Sequence, residues 1–165
     1  MAGRLVISDA NILIDMEAAG LLRQMFRLDV TFGVPDVLYE EELREQHPEL
    51  LHLGLKTLEL KEAGVGLAAG LVTKYQGSGA NTNDLLALAL AQQERCPVLT
   101  GDRKLRTVAE QENVEFHGTV WLVGLLIRGR IITVRHARAA YDKMKRADRW
   151  LPWDEVKKQL EEFED

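Results

Sequence analysis

Two hydrophobic patterns alternate along the chain. Short blocks rich in β-branched residues, "RLVIS" (4–8), "DVTFGVP" (29–35), "PVLT" (97–100) and "VEFH" (114–117), read as buried strands. Between them apolar residues recur every three or four positions, the spacing of helices packed on one face. "ANILIDMEAAGLLRQMF" (10–26) predicts two short helices broken near Gly20, and "PDVLYEEELREQ" (35–46) a helix opened by Pro35. "HLGLKTLELKEAG" (52–64) has room for a further strand, and "VGLAAGLVTKYQG" (65–77) predicts a helix. "DLLALALAQQER" (84–95) is apolar nearly all round and should be a buried helix. "DRKLRTVAEQE" (102–112) predicts another, and "GTVWLVGLLIRG", "RHARAAYDKMKRA" and "PWDEVKKQLEEF" three closing helices. Strands alternating with helices imply an α/β class: a central, mainly parallel sheet with helices on both faces.

Composition narrows the setting. A chain of 165 residues, 46% hydrophobic and 28% charged, fits one soluble domain, 1–165, with 118–165 as helices packed on it. A single cysteine, Cys96, cannot close an internal disulfide, so a reducing cytoplasm is the expected compartment. The amino-terminal "MAGRLVISDAN" is too short and too soon interrupted for a leader, and no stretch approaches a membrane span. The net charge of −5 is unevenly spread: eight Lys or Arg fall between Arg128 and Arg149 against Asp142 and Asp148 alone. Such a segment can bind phosphate locally, because fields reach about 10 Å at ordinary salt; a solvated helix face explains it equally well.

The chemistry lies in where the acids fall. Asp9 and Asp102 each follow directly on a predicted strand, at the carboxyl edge where open parallel sheets bind ligands. Asp84 opens the buried helix, with Ala87 and Leu88 on its face. In "EEE" (40–42), Glu41 shares the face of Val37 and Leu38 and is the choice for an inward acid, with Glu40 and Glu42 as alternatives; Leu43 falls off that face. Each aspartate alone is simply read as a helix cap, and Glu41 as part of a solvated acidic face. Together in one crevice, four carboxylates would repel and hold one another's protons unless a cation neutralised them. All-oxygen ligation suits Mg²⁺ or Mn²⁺ rather than zinc.

Other candidates are thinner. His47, His52, His117 and His136 show no ligand spacing, and Cys96 reads as a small buried side chain. "GSGANT" (77–82) lacks the lysine of a phosphate loop and reads as a turn. Trp121, Trp150 and Trp153 read as core or helix-packing residues, with stacking by Trp150 or Trp153 beside the basic segment as the alternative. A receiver-type phospho-acceptor would pair adjacent acids after its first strand, whereas Asp9 follows Ser8.

At these residues the sequence resembles the PIN-domain ribonucleases, especially the VapC-like toxins of toxin–antitoxin pairs and their uncharacterised relatives. The matching pieces are "VISDANILID", "VPDVLYEEEL", "NTNDLLALALA", "CPVLTGDRKL" and "GTVWLVGLLIRGRII", in that order over nearly the whole chain. The resemblance implies a three-layer α/β/α fold. Asp9, Glu41, Asp84 and Asp102 would form an acidic quartet holding one or two Mg²⁺ or Mn²⁺ ions, supported by Asn11 and Thr100. The implied activity is hydrolysis of RNA phosphodiesters by water activated at the cation. Arg103 and Lys104 beside Asp102, and Arg128, Arg130, Arg135 and Arg138 further on, are candidates for RNA phosphates. An antitoxin partner and a homodimer, formed through the apolar helices near Leu21 or Leu67, would follow by the same resemblance. A non-catalytic scaffold on the same fold, binding RNA or protein, is the alternative.

Overall fold

The computed structural model describes residues 3–164. Its centre is a five-stranded, all-parallel sheet: β1 (Arg4–Ser8), β2 (Val30–Pro35), β3 (Lys56–Leu58), β4 (Val98–Leu99) and β5 (Phe116–His117), in the order β3-β2-β1-β4-β5. β1 to β3 are laid down in one direction and β4 and β5 in the other, so the strand order reverses between β1 and β4. Ligands collect beyond the carboxyl ends of the strands at such a reversal. Here Ser8 pairs with Leu99, and the Asp9 amide extends the ladder to the Leu99 carbonyl at 2.9 Å.

Helices α1 (Ala10–Ala18) and α2 (Leu22–Met25) form the predicted pair, parted at Gly20, whose φ of 72° suits a residue with no Cβ. α3 (Asp36–Leu38) runs straight into a π-helical turn, Tyr39–Leu43. α4 (Leu50–Leu53), α5 (Glu62–Lys74), α6 (Thr82–Glu94), α7 (Arg103–Gln111), α8 (Thr119–Arg128), α9 (Val134–Arg146) and α10 (Trp153–Phe163) complete the chain. α6 lies on β1 and β2 between α5 and α7, and Ala87 to Ala91 are at most 1% exposed, as its unbroken apolar character predicts. α1 packs against α8 and α9, and α10 against both of those. Leu21 is fully buried and so unfit for the expected dimer contact, whereas Leu67 is 40% exposed. No helix among the described residues is long and apolar enough to cross a membrane.

α6, α7, α8 and α9 end alike. Arg95, Asn113, Arg130 and Asp148 take left-handed φ near 54–59°, and the next residue's amide bonds back five positions. After α9, Arg149 N reaches Met144 O at 3.0 Å. That turn sends Arg149 back to α1, where its Nε donates to Asp15 Oδ1 at 2.6 Å.

Candidate metal centre at the carboxyl edge of the sheet

Chain direction brings three of the predicted acids to one rim. Asp9 ends β1, Asp102 follows β4 by three residues, and Asp84 stands in the first turn of α6. Asp9 Oδ1 accepts from Ile12 N at 3.0 Å and Asp102 Oδ1 from Lys104 N at 2.9 Å, so both cap the helices they precede. Each cap fixes one carboxylate oxygen and leaves the other for the crevice. Asp84 caps nothing; its amide is itself held by Asn81 Oδ1 at 2.8 Å.

Burial then sets the electrostatics. Asp9 is fully buried, and loss of solvation pushes its pKa up to about 6, against the partial opposition of the Thr100 hydroxyl and the Ile12 and Gly101 amides; the charge of Asp15 adds to the rise. Asp84, 4% exposed, is pushed up to about 7, first by burial and then by Asp9, Asp102 and Glu42 around it. Asp9 Oδ2 and Asp84 Oδ2 are buried with no hydrogen-bond partner. An orphaned oxygen on each of two buried acids, with two further acids beside them, fits a divalent cation that takes oxygen ligands. The ring is open: among the described residues, no three of these acids bring one oxygen each within 4.8 Å of one another. Mg²⁺ keeps several waters and needs only one or two direct carboxylates, so an open ring suits it.

Thr100 ties the rim together. Its buried Oγ1 accepts from the Asp102 amide at 3.1 Å, and the same hydroxyl works against the rise in the Asp9 pKa. Asn11, the other supporting candidate, is exposed, and its Oδ1 accepts from Arg149 Nη2 at 3.3 Å. Asn83 Nδ2 donates to Glu41 Oε2 at 2.9 Å and to Glu42 Oε2 at 3.0 Å. The face expected of this helix needs correction. Leu38 is buried but Val37 is 45% exposed, and the π-helical turn swings Leu43 inward and Glu42 into the field of Asp84. Its signature is Arg44 N bonding to Tyr39 O, five residues back, at 2.8 Å.

The basic candidates separate. Arg103 and Lys104 start α7 beside Asp102, with Arg103 stacked over Trp150 at 5.1 Å. Arg128 and Arg130 lie at the far end of α8, about 15 Å along its axis from Thr119. Arg135 is exposed on α9, and Arg138 is engaged by Glu164. Trp150, expected in the core or in helix packing, is 57% exposed. Three features escaped the sequence reading. Asp15 is buried under Thr119 Oγ1, at 2.8 Å, and Arg149. Asn83 bridges the two glutamates. Glu17, His47 and Glu49 form the one trio whose ligand atoms lie within 4.8 Å among the described residues. That trio lies at the other end of α1, about 12 Å along it from Asp9, and His47 Nδ1 is already bonded to Glu17 at 2.6 Å.

A family model described as a PIN domain matches residues 5–165. The chain belongs to the PIN-domain family. Its parallel sheet and flanking helices are the fold expected from the sequence. PIN domains are generally nucleases that use divalent metals, and their substrates are nucleic acids. A comparison with curated proteins returns no match. In this PIN domain the acidic rim occupies the strand-order reversal, where the fold itself directs a ligand.

Proposed function

We propose that this PIN-domain protein is a Mg²⁺- or Mn²⁺-dependent endoribonuclease whose centre is formed by Asp9, Asp84, Asp102 and the Glu41–Glu42 pair. One observation carries the reading: two buried aspartates, Asp9 and Asp84, each keep an unpartnered oxygen while holding pKa values well above the ordinary 3.8. A site kept only for stability would replace such groups, since buried charge without a partner is costly. A divalent cation bound there supplies Lewis-acid chemistry, making water a stronger nucleophile and offsetting phosphoryl charge. The chain's own residues prepare the place. The caps at Ile12 and Lys104 fix the carboxylates of Asp9 and Asp102, Thr100 links the two, and Asn83 orients the glutamates.

The test pairs binding with cleavage. Calorimetry should show Mn²⁺ binding to the wild-type chain, and Asp9→Asn or Asp102→Asn should abolish Mn²⁺-dependent RNA cleavage while circular dichroism stays native. Full activity in the purified double variant would end the proposal, and absence of Mn²⁺ binding at millimolar concentration would favour the scaffold reading. The toxin role rests on the resemblance of the motifs to VapC-like toxins; its test is growth arrest on expression, relieved by Asp102→Asn.

A further inference from the structure

Beside the acidic rim, on the β5 side, lies a second feature that the metal centre does not use. A cavity of about 300 Å³ opens between the carboxyl ends of β4 and β5 and the segment that follows α9. Gly101, between Thr100 and Asp102, forms part of its wall, so the cavity is contiguous with the carboxylate ring. Phe116, His117, Trp121 and Trp150 put four rings in its lining. His117 and Trp121 stack with centroids 4.1 Å apart and planes 13° from parallel, and Trp150 borders the cavity from the other side.

Trp150 is held there by construction. The left-handed turn at Asp148 and the Arg149–Asp15 pair fix the backbone before it, and Leu151 behind it is buried. The indole nevertheless remains 57% exposed, the most exposed large apolar side chain among the described residues. Arg103 covers one side of the ring at 5.1 Å, next in sequence to the rim residue Asp102. Arg106 reaches the cavity from α7, its Nε donating to Thr100 O at 3.2 Å. Its guanidinium occupies the space that a side chain at Gly118 would need.

We infer that this cavity is a nucleobase subsite: a base of single-stranded RNA stacks on Trp150 next to the His117–Trp121 pair, while Arg103 faces the adjoining phosphate. The inference rests on the endoribonuclease reading for the identity of the polymer. The occupant follows from the lining. Asp15 is neutralised by Arg149 and Arg106 sets one positive charge against Glu155, so the cavity has no surplus of positive charge to hold a phosphate, whereas a neutral base offers a π face to the aromatics and exocyclic N–H groups to Glu155. The volume sits at the small end of the range used by ligand sites, about 300–1,000 Å³, which suits one base and not a stacked pair. A base in a duplex cannot present its face in this way, so the subsite selects unpaired RNA.

The test titrates the full chain, in EDTA, against a labelled eight-nucleotide single-stranded RNA, reading anisotropy and tryptophan fluorescence. RNA should quench the wild-type fluorescence. Trp150→Ala should weaken binding about tenfold or more, the usual worth of one base–aromatic stack, and remove most of the quench. Trp150→Phe should restore affinity to within about threefold. With Mn²⁺ present, Trp150→Ala should raise KM by a similar factor and leave kcat within about twofold. A wild-type chain that binds and cleaves RNA, with Trp150→Ala indistinguishable from it, overturns the subsite alone; so does duplex RNA binding as tightly as single-stranded RNA. Stacking with the expected Trp150 dependence but no Mn²⁺-dependent cleavage overturns the nuclease reading and leaves the subsite standing. Failure of the wild-type chain to bind RNA overturns both.

Discussion

Replacing Asp84 with Asn should make the metal-free protein more stable at pH 8, the reverse of what a buried polar substitution usually does. The Asp84 carboxyl is held at about 7 against an ordinary 3.8. For an acid raised on folding, the folded chain binds the proton more tightly than the unfolded chain. The sign follows: the group imposes no penalty below pH 3.8, and the folded state loses stability as pH rises from there through about 7. At about 1.36 kcal/mol per pH unit the full loss is ~4 kcal/mol. The Asp84→Asn variant would forgo a favourable charge in the first turn of α6, worth about 0.3–1 kcal/mol, leaving a gain of ~3 kcal/mol. In a chain of this size that corresponds to roughly 6–12 °C in Tm. Scanning calorimetry in EDTA should therefore give Asp84→Asn the higher Tm at pH 8, with the two proteins converging near pH 4. Mn²⁺ at a hundredfold its Kd should return ~2.7 kcal/mol to the wild type and little to the variant. A metal-free Asp84→Asn less stable than wild type at pH 8, or one with the same pH slope, would refute the account of the rim as a cluster of strained carboxylates.

Three further outcomes follow from the same geometry. Glu42→Gln should weaken Mn²⁺ binding about tenfold in calorimetry and Glu41→Gln no more than about threefold, because the charge of Glu42 is among those that raise the Asp84 pKa; the opposite ranking would restore the helical face first expected. Arg149→Ala leaves the buried Asp15 with Thr119 alone and should cost ~3 kcal/mol in urea unfolding, most of it recovered in Asp15→Asn/Arg149→Ala. Arg95→Gly, at the left-handed end of α6 and remote from the rim, should add ~1 kcal/mol by removing backbone strain; a loss would mean that the Arg95 side chain makes a contact of equal worth.

The alternation of β-branched blocks with helical spacing was legible because one physical requirement writes it: strands covered on both faces must be apolar throughout, and helices only on one side. What was not legible belongs to features shorter than a period or longer than a window. α4 has four residues, too few for a periodicity to accumulate. The π-helical turn breaks the 3.6-residue repeat from which Glu41 was chosen, and the misfit of Leu43 to that repeat was its one trace in the sequence. Asp15 and Arg149 are 134 residues apart, and nothing local marks either as the other's partner. Trp150 follows a basic helix and reads as packing until the left-handed turn at Asp148 is seen to carry it outward.

The choice between helix cap and metal ligand, open for each aspartate in the sequence, is not a choice in the structure. Asp9 spends Oδ1 on the Ile12 amide and keeps Oδ2 buried and unpartnered; Asp102 spends Oδ1 on Lys104. Capping requires only an acceptor, and Ser or Asn supplies one without a charge. A fully buried Asp9, its pKa lifted to about 6, therefore costs more than the cap demands. The cap contributes something a free carboxylate lacks, a fixed rotamer that carries its second oxygen to a set position at low entropic cost. Helix starts at the carboxyl edge of a parallel sheet thus provide rigid mounts for acids. The surplus charge there, unneeded by the fold and unfavourable to it, is what a bound cation would relieve.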